Sequence, residues 1–435
     1  MAPHQRHSMR TTTIRFLDYW LGIPATALLT LLRGLADLAA SEGKPAAPPS
    51  RVLFLKFIEQ GATVLAQDAI GLAVRKVGRE NVFFCVFESN RAILDVLETV
   101  PPQNILSIRD RRLLTFLADF LRAAWFVRSH RIDSVIDMEF FSRASAIFAF
   151  LSGAANRVGL HRFTGELPYR GDLMTHRVQY LPHLHIAVQY LILVEALFRP
   201  LDSQSTRDAR DLLAQGRPQL DEPLLKVPLS EIRADSMSLP SRFVPRPAEL
   251  ERMRARVGTG QPIVILNPNA SDLLPLRKWP TERFALLAKR ILAEYPDARI
   301  VLTGAPSERV AAEGLCRDLG SPRVVSMAGE TSLPELLTLY SLADVLVTND
   351  SGPGHFSSLT PVHAIVLFGP ETPRLFGPLS STSTVIWKEL ACSPCVSVFN
   401  HRLSPCRNNV CMQLITVDEV FEAIRAIGGP HQPAR

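Results

Sequence analysis

The sequence predicts an α/β protein made of two successive Rossmann-like domains, with an apolar helix ahead of them. Three observations carry this. Short apolar runs recur along the chain between helical patterns, which is how buried parallel strands and their covering helices read. The alternation occurs twice, from Arg51 and again from Ile263, and residues 215–262 between them are proline-rich with weak periodicity. A length of 435 residues, 47% hydrophobic and 21% charged, is ordinary globular composition for two or three domains. The expected division is 1–50 for the apolar helix and linker, 51–240 for the first Rossmann-like domain, 241–415 for the second, and 416–435 for a closing helix and tail.

Phe16 to Ala40 reads as one apolar helix, but its charge-free stretch runs only from Tyr19 to Leu32. That is short of the ~20 apolar residues a membrane span needs. Pro24 interrupts it, and Asp18, Arg33 and Asp37 bracket it. Two readings stand: an interfacial helix lying on a membrane with Tyr19 and Trp20 at headgroup level, or a helix packed on its own domain or a partner. SEGKPAAPPS (41–50) follows as a linker.

In the first domain the predicted strands are Val52–Phe57, Asn81–Phe87, Ile105–Ile108 and Ser134–Met138. Helices fall up to Val77, near Leu97 and from Arg111 to Ser129, and Val178 to Phe198 reads as one long helix. In the second, the strands are Ile263–Leu266, Arg299–Thr303, Val324–Met327, Val345–Thr348 and Ala364–Phe368, with helices starting near Thr281, Ser307, Ser332 and Pro353. Thr416-Val-Asp-Glu419 is a capping box opening the last helix. Paired domains of this kind place their site in the cleft between them.

A net charge of +6 suits a solvated surface, and equally an anionic partner such as a nucleotide sugar or an acidic membrane. No arginine-rich arm or aromatic–basic repeat argues for nucleic acid. No cleavable secretory signal is evident, and the six unevenly placed cysteines fit a reduced, cytoplasmic setting.

Chemistry concentrates in three strand-to-helix turns. In VLVTNDSGPGHFSSL (345–359) a strand ends at Asn349-Asp350 and a Ser-Gly-Pro-Gly turn enters a helix. Free N–H groups at such a helix start hold phosphate, and Gly352 and Gly354 allow close approach of a diphosphate. Ser351 and His355 supply further donors; the plainer alternative is a capped glycine turn. In LNPNASDLLPLRKWPTERF (266–284), Ser271, Arg277 and Lys278 can meet phosphates from the other side, or simply be solvated surface groups. In LTGAPSER (302–309), Glu308 either contacts a ribose or only suits the helix dipole.

These segments, in this order, together with AGETSLPELLTLYSLADVLVTNDSGPGHFSSL, VLFGPETP and FGPLS, resemble glycosyltransferase family 9, the heptosyltransferase family of lipopolysaccharide core assembly. The resemblance spans about residues 263–380 and continues more weakly over 51–160. It implies a GT-B fold, inverting transfer without a catalytic metal or other cofactor, and an ADP-heptose-like donor. By position it assigns the donor diphosphate to Asp350, Ser351, Gly352, His355 and Lys278, with Arg277 beside them.

The family usually has Gly-Asp after the first strand, the Asp being the apparent general base. Here the text is KFIEQGATV: Gly61 is kept, but Ala62 stands at the Asp position. Alanine accepts no proton, so Glu59 on the same loop is the expected base, with Asp68 a weaker candidate and Lys56 supporting acceptor or phosphate charge. Arg143, Arg157, His161 and Arg162 are either acceptor contacts or ordinary surface charge.

Cys392, Cys395, Cys406 and Cys411 follow a C-x2-C…C-x4-C pattern. A structural zinc, disulfides or free buried thiols all fit it.

The function expected is therefore transfer of a sugar to a lipid-linked saccharide at the cytoplasmic face of a membrane, the first domain taking the acceptor and closing on the donor. A nucleotide-sugar epimerase, or a non-catalytic binding member that lost its base at Ala62, are the rival readings.

Overall fold

The computed structural model describes residues 16, 18–39, 48–110, 112–161, 170–199, 229–233, 242–258, 261–270, 274–399 and 403–430. The chain divides into two compact units, Met1–Ser238 and Leu239–Arg435.

The first unit holds a six-stranded sheet in the order β3-β2-β1-β4-β5-β6. Its strands are β1 (Val52–Leu55), β2 (Val82–Phe87), β3 (Ile105–Ile108), β4 (Ser134–Asp137), β5 (Asn156–His161) and β6 (His176–Gln179), and every pairing is parallel. β1, β2 and β4 are buried along their whole length, so both of their faces are covered. The helices used below are α1 (Gly22–Ala39), α2 (Gln60–Leu65), α3 (Gln67–Val77), α4 (Ala92–Leu97), α5 (Leu113–Ser129), α6 (Arg143–Leu151) and α7 (Ile186–Phe198). α1 and α5 both pack on α6. One core layer joins Leu53, Leu55, Phe83 and Cys85 of the sheet to Phe120, Ala123 and Val127 of α5 and to Ala146, Phe148 and Ala149 of α6. α3 packs on α7.

One expectation is corrected here. Val178–Phe198 is not one helix: β6 ends at Gln179, and α7 starts at Ile186, beyond Pro182. β5 was not foreseen, because Asn156, Arg157 and His161 leave it only the short Val158-Gly159-Leu160 apolar run. α1 forms; no described helix is long and apolar enough to cross a membrane.

His176 on β6 is almost fully enclosed, with Nδ1 2.9 Å from Thr175 Oγ1. Burial, helped by the charge of Arg157, holds its pKa down at about 4. A base whose folded pKa is depressed stabilises the fold above its unfolded pKa of ~6.5, and loses that contribution as pH falls toward 4. Between pH 7 and 4, stability should drop by roughly 3 kcal/mol through this residue alone. His176→Gln should flatten that part of the pH–stability curve, measured by thermal unfolding; an unchanged slope refutes it.

The second unit repeats the architecture in the order β12-β11-β10-β7-β8-β9, again all parallel. Its strands are β7 (Ile263–Asn267), β8 (Arg299–Leu302), β9 (Val324–Ser326), β10 (Val345–Asn349), β11 (His363–Phe368) and β12 (Ser383–Trp387). Helices α8 (Pro247–Val257), α9 (Thr281–Glu294), α10 (Arg309–Leu319), α11 (Leu333–Leu342), α12 (Gly352–Phe356) and α13 (Val417–Ala426) surround it. Trp279 and Phe284 meet edge-on in its core, with ring centroids 4.9 Å apart. The capping boxes at Ser332–Glu335 and Thr416–Glu419 both form. α8 falls in the stretch expected to be irregular; it packs on α11 and begins with Pro247 at a helix-starting position.

Candidate functional site

Each sheet reverses its winding once, between β1 and β4 in the first unit and between β7 and β10 in the second. In doubly wound sheets the crevice beyond the strand C-termini at such a reversal is where ligands bind. Both motif sets of the sequence lie at these two points.

At the first, the chain leaves β1 through Lys56-Phe57-Ile58-Glu59 and leaves β4 through Met138-Glu139. The Lys56 side chain is fully buried, and its Nζ lies 3.0 Å from Glu139 Oε2 and 3.3 Å from Glu59 Oε2. Glu139 Oε1 accepts from the backbone N–H of Phe57 at 2.7 Å and of Ile58 at 3.3 Å. Asp137, also buried, accepts from the Glu139 N–H at 3.0 Å and the Ser145 hydroxyl at 2.8 Å, and pairs with Arg170. Glu139 is therefore consumed in fixing the loop. Glu59 is more open, its side chain 19% exposed against 7% for Glu139. Its backbone sits at φ 73°, the left-handed region, immediately before α2. Gly61 is buried inside α2, and Ala62 donates its N–H back to the Glu59 carbonyl at 3.0 Å. Glu139 was not foreseen; the signal was there, an acid two residues beyond a buried strand.

At the second, asparagines knit the strand ends together. Asn349 Oδ1 accepts from the Trp279 N–H at 3.0 Å, and its Nδ2 donates to the Asn269 carbonyl at 3.0 Å. Asn267 Nδ2 donates to Thr303 Oγ1 at 3.1 Å. These bonds bring Lys278, the Gly304 turn and Asp350–His355 to one edge of the sheet. The Lys278 ammonium makes no hydrogen bond or ion pair with the described residues. Ser351 starts α12, and its hydroxyl donates to the Asn349 carbonyl at 3.1 Å. His355 is half-buried on α12.

Several assignments change. Arg277 does not stand open for a phosphate. Its Nε lies 3.2 Å from Asp350 Oδ2, its Nη1 donates to the Asp350 carbonyl at 3.3 Å, and its Nη2 pairs with Glu371. Asp350 is buried too, so its carboxylate serves Arg277; burial pushes its pKa up and Arg277 opposes the shift. A Cβ at Gly354 would lie 3.2 Å from Val366 of β11, so this glycine serves helix–sheet contact rather than approach of a ligand. α12 has only five residues and brings one turn of free N–H groups rather than a long dipole. Glu308 accepts from the Ala305 N–H at 2.6 Å, capping its own turn. Ser271 and Arg162 lie outside the described residues. Arg143 is buried against Asp18, and Arg157 donates to the Leu173 and Ala154 carbonyls, so neither is an open acceptor contact.

The tetrathiolate zinc site is also corrected. Among the described residues no group of three or more His, Cys, Asp or Glu could hold a metal ion. Cys392, Cys395, Cys406 and Cys411 form no disulfide with one another. Cys392 is exposed, Cys411 is buried, Cys395 accepts from Ser404, and Cys406 donates to the Asn408 carbonyl at 3.1 Å.

The family model of glycosyltransferase family 9 (heptosyltransferase) matches residues 121–402, well over half of the sequence. The chain belongs to glycosyltransferase family 9. Lipooligosaccharide heptosyltransferase 2 of Campylobacter jejuni is 25% identical over 39% of this chain and 53% of its own length. Lipopolysaccharide heptosyltransferase 2 of Salmonella typhimurium is 30% identical over 29% of this chain and 36% of its own. The chain thus spans about half, or less, of the length of these curated relatives. The solved structure of E. coli ADP-heptose lps heptosyltransferase II covers 87% of this chain and 98% of its own, with a TM-score of 0.62 at 19% identity. E. coli heptosyltransferase WaaC with ADP covers 87% and 99%, with a TM-score of 0.54 at 19% identity. This family 9 chain therefore shares the GT-B-like fold of those heptosyltransferases, and its two parallel sheets are that fold's two halves.

Proposed function

We propose that the chain is an inverting, metal-independent glycosyltransferase. It moves heptose or a related sugar from an ADP-heptose-like nucleotide sugar to a lipid-linked saccharide, in lipopolysaccharide or another surface polysaccharide, working peripherally at the cytoplasmic face of the inner membrane. The observation that carries this reading is the Lys278 ammonium, unpaired among the described residues, at the winding reversal that also bears Ser351 and His355. The E. coli neighbour solved with ADP supports an adenine nucleotide.

The second unit binds the donor. Lys278, Ser351, His355 and the N–H groups at the start of α12 meet the diphosphate. The first unit holds the acceptor hydroxyl against Glu59. Glu59 takes the hydroxyl proton, and the oxygen forms a bond to the anomeric carbon as the bond to the diphosphate breaks on the opposite face. The electron pair leaves on the diphosphate, and Lys278 stabilises the charge that grows there. Ala62, at the family's usual Asp position, takes no part.

The test is thermal shift with ADP-, GDP- and UDP-sugars. A donor at 100 times its Kd stabilises by about 2.7 kcal/mol, so an ADP-sugar should raise Tm well above the others. Lys278→Met should weaken that donor at least about tenfold, by removing a charge-assisted contact. If no nucleotide sugar raises Tm, the donor reading fails.

A further inference from the structure

Two helices of the first unit turn apolar stripes outward. On α5 the outward positions are Leu114, Leu117, Leu121 and Trp125, spaced three or four residues apart along one face. Leu114 is 80% exposed, Leu121 60% and Trp125 67%. The opposite face, with Phe120, Ala123, Ala124 and Val127, already fills the core. α1 has the same arrangement. Leu21, Leu28, Leu31, Leu32 and Leu35 are exposed, with Trp20 just ahead of them. Its flanking charges turn inward: Asp18 pairs with Arg143 and accepts from the N–H groups of Arg143 and Ala144, and Arg33 pairs with Asp172. A surface helix normally points its polar residues at water. These two point Leu and Trp there.

The stripes belong to one surface. α1 and α5 both pack on α6, and Leu29 of α1 and Phe116 of α5 both pack against the core layer under the same face of the sheet. Their outer sides therefore look away from that face together.

The charges select the occupant. Arg122 and Arg128 are the exposed charged side chains of α5, and exposed Arg112 and Arg131 flank its ends. The one acid of the helix, Asp119, is buried and paired with Arg109 and Arg122. An apolar face rimmed by arginines, with tryptophans at its edge, matches an anionic lipid surface, where Trp sits at headgroup level and Arg meets phosphate. We infer that α1 and α5 together form an in-plane docking surface for an anionic phospholipid bilayer. This deepens the proposed function, since it would set the acceptor-side unit on the membrane that carries a lipid-linked acceptor. Docking itself needs neither substrate nor chemistry.

The test is co-flotation of the full chain with vesicles of phosphatidylglycerol and phosphatidylcholine, against phosphatidylcholine alone. The wild type should float with the anionic vesicles, less so as salt rises. Leu114→Glu with Leu121→Glu, which leaves α1 intact, should lower the bound fraction at least about tenfold, because both charges enter the apolar contact. Both positions are exposed, so circular dichroism and Tm should stay at wild-type values, and transfer to a delipidated acceptor should be unaffected. Glu59→Gln should float like the wild type, so failure of the transferase reading leaves this result standing. The inference is overturned if the double variant floats like the wild type. It is equally overturned if the wild type ignores anionic lipid and instead forms, by light scattering, a dimer that the same substitutions dissolve.

Discussion

Glu59→Gln should lower kcat by about 10²–10⁴-fold, the usual contribution of a positioned general base, while leaving the thermal shift produced by the donor unchanged. The argument rests on the contrast between two carboxylates that share Lys56. Glu139 spends one oxygen on two backbone N–H groups and the other on the ammonium, and its side chain is only 7% exposed. Glu59 meets the same ammonium at 3.3 Å from a more open position. Glu139→Gln should therefore act through Lys56: it leaves a buried cation short of a partner, at a cost of about 3–5 kcal/mol, and its kinetic loss should follow the misplaced loop. Glu59 also allows an unusual control. A non-glycine residue at φ 73° bears backbone strain of about 1–3 kcal/mol, and glycine bears none. Glu59→Gly relieves that strain while Lys56 keeps Glu139 as its nearer partner, so the variant should unfold near the wild-type Tm and still lose transfer. Loss of activity without loss of stability separates a base from a structural acid. If Glu59→Gln transfers at the wild-type rate, Glu59 is not the base.

Most of the fold was legible because the central strands are buried on both faces. Val82–Phe87 and Val345–Asn349 are unbroken apolar runs or nearly so, and sequence reads such runs directly. Two outer strands, β6 and β12, were not legible for the converse reason. β6 alternates buried and half-exposed residues, and no residue of β12 is fully buried, so neither offers the same signal. The site divides along a similar line. Its strand-end turns are local and could be read. Its charge partners are not: Glu139 reaches Lys56 across 83 residues, and Glu371 reaches Arg277 across 94. Arg277 was consequently read as a phosphate ligand. A planar fork suits carboxylates as well as phosphates, and only the fold decides which it meets. Lys278, its neighbour, meets no acid among the described residues, and its phosphate role belongs to the proposed function.

Arg277 is where that difference has its largest measurable consequence. Arg277→Gln should destabilise the protein by about 3–5 kcal/mol at pH 8, because Asp350 and Glu371 stay buried without their cation. The loss should depend on pH. Burial already raises the Asp350 pKa in the wild type, and Arg277 is what opposes the rise. Without the guanidinium the folded pKa moves further above its unfolded value of ~3.9. An acid raised in this way favours the fold below its unfolded pKa, and the advantage is lost as pH rises through the folded pKa. The Tm gap between wild type and variant should therefore be widest near pH 8 and close as pH falls toward 4, where the carboxyls take up protons. Arg277→Lys should recover only part of the gap, since an ammonium cannot bridge Asp350 and Glu371 with the same fork. Lys278→Met makes the opposite pattern: little change in Tm without ligand, and a weakened response to the donor. A gap of constant size from pH 4 to 8 would mean that Arg277 stabilises by packing alone, and that the two buried acids are held by something other than its charge.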